Sequence, residues 1–450
     1  MKQHKRISVN NLADLTGVSR ATVESWIKRE KYPVHTDEKS SRYFNIEDLK
    51  DIEEVNQMMT THWDNEKSVF PLGRFSSVEL FAGAGGLALG MEKAGFHHVL
   101  LNEMDHNACE TLRFNRPNWN IIEGDIHEID FSSLRGKVDF LSGGFPCQAF
   151  SYAGKRLGFD ETRGTLFFEL ARAVKEIQPK VFLGENVKGL LEHDKGRTMN
   201  TIKGVIEELG YTLVEPRVLR ALQYDVPQKR ERLILIAIRN DIAPLVHFKW
   251  PDVCNELRTI RDAFCKGDLF DTDVPISIGQ QYPESKRKVM EMVPEGGDWR
   301  NLPEYIAREY MKGSYNLGGG KTGMARRLSM DEPSLTLTCA PAQKQTERCH
   351  PLETRPLTIR EYARIQTFPD DWQFMGTMSS QYKQIGNAVP VNLAWAIGRS
   401  LIRLFNDIYK LGITTSHSET TTCKEYRKLH GLFEGMVCDE KVKYGNSKKK

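Results

Sequence analysis

The sequence predicts an α/β fold built on a doubly wound sheet. Three observations lead there. Between residues 75 and 240, short apolar runs alternate with helical stretches. A Gly-rich turn, Ala82-Gly83-Ala84-Gly85-Gly86, follows the first run. The runs end in polar or Gly-rich segments, which is where open α/β sheets bind ligands.

From the N-terminus, residues 1–60 read as a small polar module. Ser8 is placed to cap a helix carrying Leu12, Ala13 and Leu15, and Gly17 supplies a turn. Ser19 is placed to cap a second helix with Val23, Trp26 and Ile27 on one face. Arg20, Thr22, Ser25 and Lys28 fall on the other face, and short or basic side chains suit a helix entering a major groove. Tyr43, Phe44, Ile46 and Leu49 suggest a wing and a closing helix. The pattern resembles the winged helix-turn-helix of MerR-like and excisionase-like regulators. Residues 61–74, with Pro71 and Gly73, are expected to be a linker.

The strands follow in order. Ser76–Phe81 is the first, and a helix from Leu87 to Ala94 stops at Gly95. Val99–Leu101 ends at Asn102-Glu103, and Val138–Leu141 runs into Gly143-Gly144. Lys180–Leu183 ends at Glu185-Asn186, and Leu233–Ile238 is a further strand. These lie within a first catalytic part, residues 75–240. Residues 241–325 are irregular and rich in Pro, Gly and charge; residues 326–410 complete the recognition support and the catalytic part, with helical periodicity returning in 355–410; residues 411–450 form a polar basic tail.

Composition narrows the function classes. The 450 residues suffice for two to four domains. A 40% hydrophobic content supports a sizeable core and excludes overall disorder. No apolar run reaches the roughly 18 residues of a transmembrane helix, so no membrane partner is expected. The start, MKQHKRISVNN, lacks the apolar run of a secretory signal, so a cytoplasmic, nucleoid-associated protein is expected. No two of the eight cysteines have CxxC spacing, which argues against a zinc ribbon and a disulfide scaffold, and no metal site is expected. A net charge of +3 is too small to imply nucleic acid by itself, so a DNA-binding surface must be a local patch.

The loop after the first strand and the acid ending the second suggest a nucleotide-type site. Glycines let backbone approach a ligand, and Glu103 can accept from ribose hydroxyls. Asp125, at the next strand end, can accept from an adenine amino group. The loop matches neither GxGxxG nor a P-loop, and by itself would suggest a Rossmann dehydrogenase. Gly143-Gly144-Phe145-Pro146-Cys147-Gln148-Ala149-Phe150-Ser151 changes that reading. A cysteine at a strand end, stiffened by Pro146 and beside two glycines, is placed like a nucleophile.

At this point the chain resembles the bacterial cytosine-5 DNA methyltransferases of type II restriction-modification systems. FAGAGG (81–86), GGFPCQAFS (143–151), GENV (184–187), QKRERL (228–233), RPLTIREYARIQTFPD (355–370) and QIGNAVP (384–390) match its blocks in order. The resemblance implies a Rossmann-like, S-adenosylmethionine-dependent methyltransferase sheet with a small α+β target recognition domain. It implies Cys147 as the nucleophile toward cytosine carbon 6, which turns carbon 5 into an enamine-like acceptor. Glu185 would protonate or hydrogen-bond ring nitrogen 3, Arg232 would hold the cytosine O2, and Arg230 would hold the Cys loop and the DNA backbone. Gln148 and Ser151 would lie on the loop closing over DNA, around a flipped base. Phe81 would pack on adenine, Gly83 and Gly85 would line the methionine end, and Glu103 would take the ribose. Met104 stands where the family often has Trp. Asp125 and Ile126 would bracket the adenine; Pro146, Leu166 and Asn387 would complete the pocket.

The same resemblance makes residues 241–325 the target recognition region, with residues 326–360 supporting it. Lys286, Arg287, Lys288, Arg300, Lys312, Lys321, Arg326, Arg327 and Gly318-Gly319-Gly320 are its candidate DNA contacts. The expected substrate is double-stranded DNA, protected against a partner restriction endonuclease without a stable complex. Two alternatives stand beside this reading: a tRNA cytosine-5 methyltransferase, against which the long variable stretch argues, and a DNA-binding regulator. Operator binding and autoregulation by residues 1–60 would be a second function.

Overall fold

The computed structural model describes residues 6–37, 42–145, 166–316 and 322–413. Pro146, Cys147, Gln148, Ser151, Gly318-Gly319-Gly320, Lys321 and the tail beyond 413 lie outside the described residues.

The first module contains β1 (Arg6–Ser8), α1 (Val9–Thr16), α2 (Arg20–Lys28), β2 (His35–Thr36), β3 (Arg42–Asn45) and α3 (Glu53–Met59). Both serines cap: Ser8 Oγ accepts from Asn11 N at 3.0 Å, and Ser19 Oγ from Thr22 N at 3.1 Å. Gly17 ends α1 at φ 71°, a conformation glycine adopts without steric cost. The strands pair antiparallel in the order β1-β3-β2. Leu12, Leu15, Val23, Phe44 and Leu49 are fully buried between the sheet and the helices.

Residues 61–74, expected as a linker, are a packed strap. It holds α4 (Trp63–Glu66). Trp63 is 1% exposed, donates its indole N–H to Asp225 at 3.3 Å, and lies under the Arg399 guanidinium at 4.4 Å. Buried Glu66 accepts from Arg403 at 2.9 Å. Pro71 and Gly73 suggested an open connection, but one indole with a buried partner outweighs that composition.

The main sheet is built from β4 (Phe75–Leu80), β5 (Phe96–Glu103), β6 (Ile121–Glu123), β7 (Phe140–Gly144), β8 (Val181–Asn186), β9 (Tyr211–Leu213), β10 (Arg217–Arg220) and β12 (Glu231–Arg239). Between them run α5 (Gly86–Ala94), α6 (His106–Asn115), α7 (Leu166–Ile177), α8 (Arg197–Glu208) and the short β11 (Gln228–Lys229). The strand order is β10-β12-β8-β7-β4-β5-β6, with β9 also on β12. Strands β4 to β8 pair parallel, and β12 runs antiparallel to β8. The order reverses between β4 and β7. This is the switch point at which doubly wound sheets open a crevice. The second strand is longer than the apolar run suggested, because His97 to Asn102 pair along β4 and β6 despite their polar members.

After the sheet come α9 (Ile260–Phe264), α10 (Glu284–Glu291), α11 (Glu304–Met311), β13 (Ser334–Leu335), α12 (Ile359–Ile365), α13 (Met378–Asn387) and α14 (Val391–Lys410). The expected α+β character of residues 241–325 is not seen. Among the described residues these form short helices and loops, with Tyr282, Met290, Val293, Leu302 and Ala307 in a small separate core. Strand pairing there is limited to an isolated bridge between Gly279 and Thr358.

Helix α14 returns to close the sheet against α5. A Cβ built on Gly90 would stand 2.3 Å from Ala394 Cβ and 2.7 Å from Val391 O. The two backbones meet too closely for any side chain there. Gly90→Ala is therefore expected to destabilise the fold by about 1–3 kcal/mol through overpacking, although alanine is the better helix former. A denaturant titration checks it; an unchanged midpoint would mean that the two helices can slide apart freely.

Candidate active site

The Gly-rich turn leaves β4 through three left-handed residues, Phe81 (φ 57°), Gly83 (φ 54°) and Gly85 (φ 86°). Glu103, ending β5, locks it: Oε2 accepts from Gly83 N at 2.7 Å. Its other oxygen accepts from the Met104 and Asp105 amides, each at 2.8 Å. A carboxylate has about four lone-pair sites and three are taken here, so Glu103 keeps one for a ribose hydroxyl. Nothing lies within 4 Å of a Cβ built on Gly83 or on Gly124, so backbone beyond β4 and beyond β6, the strands on either side of β5, faces open space. Gly85 differs: its Cβ would strike Leu112 at 2.7 Å and Trp372 at 3.1 Å, so packing explains it.

Asp125 caps the turn after β6, accepting from His127 N at 3.0 Å and facing His127 Nδ1 at 2.6 Å. These contacts hold its carboxyl below the usual range. Met104 is 73% exposed beside Glu103. Phe81 is half-buried beside Gly143 of β7. Ile126, expected to flank adenine, is 3% exposed and belongs to the core around Phe131 and Leu141. Leu166 opens α7, half-buried. Asn387 ends α13, exposed, with Oδ1 3.3 Å from Cys339 Sγ. Open backbone at Gly83 and Gly124 and carboxylates at Glu103 and Asp125 fit S-adenosylmethionine.

The other side of the switch point carries the candidate chemistry. Glu185 lies at the end of β8 and is about one-tenth exposed. Arg232 Nε meets Glu185 Oε1 at 2.6 Å. Burial pushes the Glu185 carboxyl up, and the Arg232 and Arg230 charges oppose the push. Gly144 lies beside it: a Cβ there would stand 3.0 Å from Glu185 Oε2 and crowd the carboxyl. Asn186 Nδ2 donates to Phe145 O at 2.8 Å. Phe145 is buried against Phe167 at 5.3 Å. The chain is thus anchored two residues before Cys147, which lies outside the described residues. Two residues span at most about 7 Å.

Several expected DNA contacts turn out to be internal struts. Arg230 is 2% exposed, and its guanidinium donates to Gly386 O at 3.0 Å, Leu337 O at 3.3 Å and Asn387 O at 3.3 Å. Burial pulls its pKa down to about 9. It ties the late blocks to the sheet and does not face the DNA backbone. Gln228 works beside it, bonding Gln366 at 2.9 Å and Leu337 N at 3.0 Å. Arg327 is 5% exposed and donates to Val293 O and Met290 O, each at 2.7 Å. Lys286 binds Glu347 at 2.8 Å; Arg300 binds Asp298 at 2.7 Å but stays exposed, so it is not one of these struts. A basic residue in an irregular stretch reads as a phosphate ligand, but loop carbonyls need donors as well.

On α2, Arg20 and Lys28 are exposed, and Ser25 is half-buried. The Thr22 hydroxyl lies 2.9 Å from the Ser19 cap. Sequence reasoning missed Asn186 and Gln228. For Asn186, the signal was a polar residue directly after the strand-end acid.

Comparison with known proteins places these features in context. The family model described as C-5 cytosine-specific DNA methylase matches residues 75–403. The type II methyltransferase M.Eco47II of Escherichia coli is 59% identical over 407 residues, covering 90% of this chain and 97% of that protein. M.Sau96I of Staphylococcus aureus is 46% identical over 404 residues, covering 89% of this chain and 88% of that protein. A crystal structure of a putative DNA modification methyltransferase encoded within an E. coli prophage is similar at TM-score 0.54 and 25% identity, covering 74% of this chain and 99% of the other.

Proposed function

The chain belongs to the C-5 cytosine-specific DNA methylase family, and from that premise we propose how its residues divide the work. It is a DNA (cytosine-5-)-methyltransferase, and the family uses S-adenosyl-L-methionine. When bound, that cofactor supplies an electrophilic methyl group.

Cys147 is the nucleophile: its thiolate bonds to cytosine carbon 6 and leaves when the carbon 5 proton is removed. Glu185 presents a protonated carboxyl to ring nitrogen 3, drawing electron density away from carbon 6. Arg232 orients that carboxyl and can hold the cytosine O2. Glu103 and Asp125 hold the cofactor's hydroxyl and amino groups, and Phe81, Gly83 and Met104 border it. Gln148 and Ser151 belong to the segment closing over DNA. Neither ring carbon is reachable inside a duplex, so the cytosine is flipped out. The observation that carries this reading is the buried Glu185–Arg232 pair, 2.6 Å apart, next to the Asn186 anchor of the Cys147 segment.

Residues 241–325, supported by 326–360, select a short duplex sequence, and methylation there protects DNA from a partner endonuclease. Module 1–60 contacts DNA through Arg20, Ser25 and Lys28 on α2, with an operator as one candidate site. The capped α1-Gly17-α2 turn supports that reading.

Bisulfite sequencing of genomic DNA from cells expressing the chain tests the proposal. One short motif with protected cytosines is expected. Complete conversion, with the protein folded, would refute a DNA substrate and favour RNA.

A further inference from the structure

The N-terminal module is fastened to the ligand-binding end of the catalytic sheet. Arg220, the last residue of β10, is the fastener. Its Nη1 donates to Leu15 O at 2.8 Å and lies 3.4 Å from Glu54. Its Nη2 would stand 2.5 Å from a Cβ on Gly17, so the guanidinium fills the turn between α1 and α2. The same guanidinium reaches Glu231 at 3.5 Å. Three further contacts fix α1: Lys229 to Asp14 at 2.7 Å, Asn10 to Glu332 at 2.5 Å, and Asn11 to Asp331 O at 3.3 Å. None of these contacts is needed by a module that merely hangs from a tether.

The register shows where this puts α2. Arg220 pairs with Glu231, and Ile234 pairs with Glu185. Because β12 runs antiparallel to β8, Glu231 lies beyond the end at which Glu185 sits. Arg220 is therefore two strands across from Glu185 and off the same edge, about 14 Å away. Adding the guanidinium's reach and the three residues from Gly17 to Arg20 places the start of α2 within about 30 Å of Glu185. At about 3.4 Å per base pair, that is fewer than ten base pairs of duplex.

The charges are arranged to match. Glu54 is turned toward the catalytic domain by Arg220. Glu24, on α2 itself, is engaged by Arg42 at 2.5 Å. Arg20, Lys28, Arg29 and Lys31 remain exposed on and just after α2. Arg20 also lies 3.5 Å from Glu24, and Glu30 is exposed beside Arg29, so this stretch shows solvent four cations and one exposed carboxylate.

We propose that α2 grips the flank of the same duplex whose cytosine enters the Glu185 site, within one helical turn of the flipped base. The inference rests on the reading of α2 as a DNA-contacting helix. It adds that the contact is in cis with catalysis, with Arg220 as the positioning residue. The module extends the recognition surface of the enzyme and does not depend on a separate operator to engage DNA.

The test uses the full chain and the methylation site mapped by bisulfite sequencing. Two synthetic duplexes carry that site, one of about 12 and one of about 40 base pairs, the second long enough to pass under α2. The ratio of kcat/KM on the long duplex to that on the short one is expected to be about tenfold, carried by KM. It should fall to about one in the Arg20→Ala, Lys28→Ala, Arg29→Ala triple variant, and partway in Arg220→Ala, where Lys229, Asn10 and Asn11 still hold α1. Three phosphate contacts also predict a log–log salt slope steeper by about 2–3 on the long duplex. A ratio of one for the unaltered chain, or a ratio the variants leave intact, overturns the proposal. If a site-free duplex is bound while the ratio stays at one, α2 contacts DNA elsewhere and operator binding is the remaining role. Absence of methylation on both duplexes in the unaltered chain would instead refute the catalytic reading itself.

Discussion

Glu185→Gln is expected to lower kcat by about 10²–10⁴-fold while leaving DNA binding in place. The argument rests on the proton. A neutral carboxyl can donate fully to ring nitrogen 3 as carbon 6 is attacked, whereas an amide can donate but cannot transfer a proton. The site favours the neutral form, since burial raises the Glu185 pKa and only partly yields to the Arg232 and Arg230 charges. The pH dependence follows with a definite sign. Turnover that needs the protonated acid is full below the folded-state pKa and is lost as pH rises through it. That falling limb lies above the ordinary carboxylate range and disappears in the Gln variant. Single-turnover transfer of labelled methyl groups across a pH series measures both effects. A Gln variant with a near-normal rate and the same pH limb would remove Glu185 from the mechanism.

Cys147→Ala is expected to abolish turnover. Without a bond at carbon 6, carbon 5 has no enamine character and no route to accept a methyl group. Three of the other cysteines are buried in the fold, and the exposed Cys339 is held at Asn387, 3.3 Å from its Oδ1. Among those described, Cys109 and Cys254 have their thiols pushed up to about 12 by burial, and Cys349 is buried too. The variant should still bind duplex DNA, because its loss is confined to one sulfur atom. Methyl transfer and a mobility shift on the same duplex separate the two. Measurable turnover in the alanine variant would sink the nucleophile assignment.

Much of the catalytic half was legible because strand ends are local features. The loop after β4, Glu103, Glu185 and the Gly143-Gly144 approach all sit where an apolar run meets a polar stop. The serine caps of α1 and α2 were legible for the same reason: one side chain and one amide three residues on decide them. What misled was any residue whose partner is distant in sequence. Arg230 reads as a solvated cation in a charged run, yet its carbonyl partners lie more than 100 residues away. Arg327 and Lys286 were misread in the same way. Trp63 sits in a segment with linker composition, and only the fold brings Asp225 to its indole. The α+β character expected of residues 241–325 came from resemblance, and no periodic pattern there supported it.

The meeting of α5 and α14 also has a temporal side. Helix α5 ends at Ala94, and its partner begins at Val391, about 300 residues later. At about 5–20 residues per second, the ribosome needs roughly 15–60 s to deliver the second helix after the first. During that interval Leu87, Met91 and Gly90 lie bare on the nascent chain, and the Arg230 guanidinium waits for the carbonyls of Leu337, Gly386 and Asn387. The contact between α5 and α14 is therefore completed only when the chain is nearly finished. Lower temperature or a holding chaperone during synthesis should raise the yield of soluble protein more than any change made within the first half alone.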